Sequence, residues 1–61
     1  MSPQARSDID EICEAAATGS RKLANLVFHS IREARNLQPM QARLLWEAVR
    51  AEFKRRGIWN A

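Results

Sequence analysis

Sixty-one residues, 46% hydrophobic and 28% charged, describe one small domain with a core and not a disordered tail. A formal charge of +3 is modest, and a lone cysteine excludes a framework of internal disulfides. Cys13 and His29 supply two soft ligands where a structural zinc site wants about four, which excludes zinc as the stabiliser.

A chain this short lies near the lower limit for folding alone, against an entropy cost of roughly 1.5 kcal/mol per ordered residue. A second copy of the chain is the remaining source of burial, so a homodimer is expected. Residues 1–7 (Met-Ser-Pro-Gln-Ala-Arg-Ser) lack the apolar run of a signal peptide and read as a flexible lead-in. No apolar stretch approaches the ~20 residues of a membrane span. With an unpaired cysteine, these features predict a cytoplasmic protein without membrane association.

The first helix is expected over 8–18. Ser7 and Asp10 resemble a capping box with the shorter acid, and Asp8, Asp10 and Glu11 put negative charge at the positive helix end. Ile9, Ile12, Cys13, Ala16 and Ala17 recur on one face at helical spacing. Gly19 suits a stop and Ser20 a new N-cap.

The second helix is expected over 21–35. Its spacing gathers Leu23, Leu26, Val27, Ser30, Ile31 and Ala34 into one broad stripe for the core, with Phe28 at the edge. Arg21, Asn25, His29 and Arg32 fall on the opposite side. A loop over 36–38 leads to Pro39, which is favourable in a first helical turn and disfavours helix at Gln38.

The third helix is expected over 39–56, stopped by Gly57, with Ile58 placed to fold back onto Phe53. Ala42, Leu45, Trp46, Val49 and Phe53 make a heavy core stripe. Met40, Leu44, Ala48 and Ala51 lie roughly opposite, a strip of small and flexible residues. Helix 1 could pack there to complete the bundle; a dimer seam or a docking groove are the alternatives. The fold class is therefore all-α, a short N-terminal helix plus an antiparallel helical hairpin making a three-helix bundle in one domain over 8–61, expected to be dimeric.

Catalysis finds no support. His29 sits on a polar helical face, Cys13 behaves as a small hydrophobe on an apolar one, and no phosphate loop or calcium loop is present. No catalytic residue, cofactor or metal site is expected. What remains is binding, and the leading expectation is a small adaptor or regulator acting by protein–protein contact with itself and with a further, unidentified protein. Its surface would include Phe28, Met40, Leu44, Ala48, Ala51 and Trp59, since tryptophan and arginine are enriched at binding hot spots.

The alternative is a nucleic-acid-binding regulator. Residues 1–19 hold one basic and four acidic side chains, whereas residues 20–61 hold nine basic and three acidic ones. Arg43, Arg50 and Lys54 form a ridge on the third helix, Arg55 and Arg56 follow, and Arg32 and Arg35 lie on the second. Such a ridge could track phosphates, though basic residues in a last turn also complement the helix dipole. The long flanking helices and the inward Trp46, Val49 and Phe53 argue against a helix-turn-helix.

Overall fold

The computed structural model describes residues 3–58, which form three helices and no strand: α1 (Pro3–Thr18), α2 (Arg21–Ala34) and α3 (Pro39–Arg56). No helix among them is long and apolar enough to cross a membrane.

Helix α1 begins at Pro3, five residues before the expected start, so residues 3–7 are helical and Ser7 lies inside the helix instead of capping it. Proline is pre-set for a first turn, and Gln4, Ala5 and Arg6 are good helix formers. Asp8 and Asp10 thus fall in the second turn, past the helix end, and find partners outside α1. Asp8 pairs with Arg35 and Asp10 with Arg56.

The core gathers Ile9, Ile12, Cys13 and Ala16 from α1, Ala24, Phe28 and Ile31 from α2, and Ala42, Val49 and Phe53 from α3. Helix α1 runs against both other helices, while the backbones of α2 and α3 scarcely approach one another. The three helices are arranged as a bundle, but its closest backbone approaches are those of α1 to the other two and not that of α2 to α3. Side-chain size explains this arrangement. Cys13, Ala16 and Ala24, all buried, let α1 and α2 come close, whereas two aromatic rings stand between α2 and α3. Phe28 meets Trp46 edge to face at 5.0 Å, and Trp46 meets Phe53 in the same manner at 6.3 Å.

Helix α2 is turned by about a quarter of a turn from its expected orientation. Leu23 and Leu26 are 42% and 59% exposed, and Ser30 and Ala34 are exposed too. Ala24, Phe28 and Ile31 point inward in their place. One phenylalanine ring on Trp46 and a fully buried alanine, Ala24, outweigh the leucine stripe.

Local signals end the helices. The Ser20 hydroxyl accepts the Leu23 N–H at 3.2 Å, opening α2. Asn36 takes the left-handed region at φ 51°, and the N–H groups of Asn36 and Leu37 reach back to the Glu33 and Arg32 carbonyls. The Gln41 side chain accepts the Gln38 N–H at 2.9 Å in front of Pro39. Gly57, at φ 70°, closes α3, and the Ile58 N–H donates to the Phe53 carbonyl while its side chain packs on the core.

The α1–α2 corner is tight. A methyl group on Gly19 would lie 2.6 Å from a Leu23 methyl and 2.9 Å from the Ala15 carbonyl oxygen. Leu23 can swing into solvent; the carbonyl cannot. Overpacking of about 1–3 kcal/mol therefore outweighs the roughly 0.4–1 kcal/mol that an alanine gains from a stiffer unfolded chain. Gly19→Ala is expected to be net destabilising by about 1 kcal/mol in urea unfolding.

Candidate functional site

The two side chains with reactive chemistry are far apart in character. Cys13 is fully buried, and burial pushes its thiol up, away from the reactive thiolate. His29 is exposed on α2, its ring 5.7 Å from Phe28. No group of three or more His, Cys, Asp or Glu side chains among the described residues could hold a metal ion.

Ion pairs divide the cations expected to contact nucleic acid. Arg35, just past α2, donates twice to Asp8, at 2.6 and 2.7 Å, and Asp8 is the one buried charged residue among those described. Arg56 donates to Asp10 at 2.5 Å and to Glu52 at 2.9 Å, and Arg55 also binds Glu52. These hydrogen bonds raise the affinity of all three guanidinium groups for their protons. Arg35, Arg55 and Arg56 thus tie helices together or complete a local charge cluster. Arg43, Arg50 and Lys54 are exposed, Arg32 is half-buried, and none of the four makes an ion pair among the described residues.

Two arginines hold the Glu52 carboxyl down to about 2, from an ordinary 4.5. A depressed carboxylate stabilises the fold fully above its unfolded value, and the contribution is lost as pH falls through the folded one. Glu52→Gln should therefore melt below the parent at pH 7, and the two melting temperatures should converge between pH 4.5 and about 2. Thermal scans across that range check it.

Because the aromatic rings hold α2 and α3 apart, a cleft of about 690 Å³ opens between them. Trp46 and Phe53 form its floor, and Arg21, Asn25, Arg50 and Lys54 stand around it. Arg21 was not singled out from the sequence as a cation of this surface. Its place on the polar face of α2 was the available signal, but only the α2 rotation brings it opposite Arg50.

The expected protein-binding residues do not form one face. Phe28 is buried in the core, which removes it from any docking surface; its ring is needed by Trp46. Met40 and Leu44 are 67% and 58% exposed, Ala48 is half-buried, and Ala51 turns to the cleft beside α2. Helix α1 therefore leaves most of the strip uncovered. Trp59 lies outside the described residues. On the α1 side, a second hollow of about 340 Å³ is lined chiefly by Ala5, Ile9, Leu37, Leu44, Leu45 and Ala48, with the Asp8–Arg35 pair at its edge. Comparison with known proteins gives no match to a family model, a curated protein or a solved structure.

Proposed function

We propose that the chain is a non-enzymatic adaptor or regulatory module that works by protein–protein contact, as a homodimer that also receives a further protein. The observation that carries this reading is the exposure of Met40 and Leu44, at 67% and 58%, beside an apolar hollow floored by Leu37, Leu45 and Ile9. A large side chain or an amphipathic helix of a partner suits a hollow of that size and polarity. A lone buried Cys13 fits a reducing compartment and supports a cytoplasmic setting for the module.

A photo-crosslinking side chain at position 44, expressed in the source cell, tests the reading. A discrete protein adduct that disappears with Met40→Glu is the expected result. Absence of any protein adduct from position 44 contradicts it.

The second reading is nucleic-acid binding by the cleft between α2 and α3, favoured by aromatic edges framed by Arg21, Arg50 and Lys54 with Asn25. Gel-shift titration at two salt concentrations separates the readings. Binding at low salt that weakens steeply as salt rises, and that is lost in Arg50→Ala, would transfer the function to this cleft.

A further inference from the structure

We propose that two copies of the chain pair through α2 in antiparallel fashion, Lys22 of each copy facing Glu33 of the other. The proposal rests on the homodimer above and assigns its seam to a surface distinct from the Met40–Leu44 face.

The rotation of α2 leaves a continuous strip largely open to solvent, only Val27 of it packing against the core. Leu23 and Leu26 are 42% and 59% exposed, Ser30 and Ala34 are exposed, and Val27 is half-buried. Leu23, Val27, Ser30 and Ala34 follow one another at steps of four, three and four, the spacing of a helix–helix seam. Such a strip is expensive to leave wet in a chain with so small a core.

Orientation follows from size and charge. An antiparallel pair sets Leu23 opposite Ala34 and Val27 opposite Ser30, large against small at each level, so the helices can close evenly. A parallel pair sets Leu23 against Leu23 and Ala34 against Ala34, crowded at one end and hollow at the other. Lys22 and Glu33 both lie on the flank of the strip that carries Leu26, both are exposed, and neither makes an ion pair among the described residues. Two-fold antiparallel pairing brings like flanks together, so Lys22 reaches the other copy's Glu33 and the contact occurs twice. In a parallel pair the two charges stay about 16 Å apart along the axis, eleven residues of rise. The pattern is complementary to itself, which selects a second copy of this chain as the occupant.

Sedimentation equilibrium of the full chain tests this, with circular dichroism confirming unchanged helicity in each variant. The parent should dimerise, and Leu26→Glu should weaken the dimer by about a hundredfold or more, since a buried leucine becomes a buried charge in both copies. Lys22→Glu and Glu33→Lys should each weaken it about tenfold, by placing like charges at both contacts. Mixed in equal amounts, these two variants should associate as the parent does, because every contact in the mixed dimer joins opposite charges. Mixing that restores nothing overturns the antiparallel register. A dimer that survives Leu26→Glu and is dissociated by Leu44→Glu overturns the seam while leaving the homodimer intact. A parent chain that stays monomeric up to about 1 mM, a binding energy near −4 kcal/mol, overturns both.

Discussion

Phe28→Ala is expected to leave the chain largely unfolded at room temperature. Truncating a buried phenylalanine costs about 3–5 kcal/mol, from lost burial and the cavity left behind. A domain this small carries total stability of roughly 0.05–0.15 kcal/mol per residue, so the loss is comparable to the whole. Relaxation cannot fill the gap easily, because Phe28 is the ring through which α2 meets Trp46 on α3, at 5.0 Å. Phe28→Leu keeps most of the volume and loses the edge-to-face contact, worth about 0.5–1.5 kcal/mol. That variant should remain helical with a lower urea midpoint. Far-UV circular dichroism and urea titration at one fixed protein concentration read both, fixed because self-association would contribute to apparent stability.

Ile12→Ala should cost about 2–5 kcal/mol and unfold all three helices in a single transition. Ile12 is fully buried on α1, the helix that packs against both others. If α2 and α3 formed a self-sufficient hairpin with α1 laid upon it, the variant would lose only the α1 share of the helical signal. A second, later transition would then report the hairpin. Coincident loss of helicity and of tertiary signal from the Phe28–Trp46–Phe53 cluster is the expected outcome, because the aromatic contact alone cannot hold two helices whose backbones scarcely meet.

Three helices were legible in the sequence because their punctuation is local. Ser20, Pro39 and Gly57 act through bonds and dihedral limits within a few residues, and the starts of α2 and α3 and the end of α3 fall where those residues put them. What depends on distant contacts was not legible. The early start of α1 goes with Asp8 reaching Arg35, a pair separated by 27 positions that no periodicity announces. The face that α2 buries turned on one aromatic pair, Phe28 with Trp46, outweighing two leucines on a regular stripe. That single choice also decides the surfaces: it takes Phe28 away from binding, exposes Leu23 and Leu26, and swings Arg21 and Asn25 over the cleft. The division of the basic residues was half legible. Glu52 lies three and four residues before Arg55 and Arg56, a spacing known to pair on helices. The reach of Arg56 across to Asp10 is a tertiary fact.

The fold leaves two apolar surfaces, and we propose that the one on α2 is covered by a second copy of the chain and the one where α3 meets α1 by a different protein. An amide chemical-shift dilution series on the uniformly labelled chain tests it most directly. Concentration-dependent shifts should cluster at Leu23, Leu26, Val27, Ser30 and Ala34, with the amides of Met40 and Leu44 unmoved and left for a different partner. Spectra identical at every concentration, or shifts confined to residues 40–51, would contradict it.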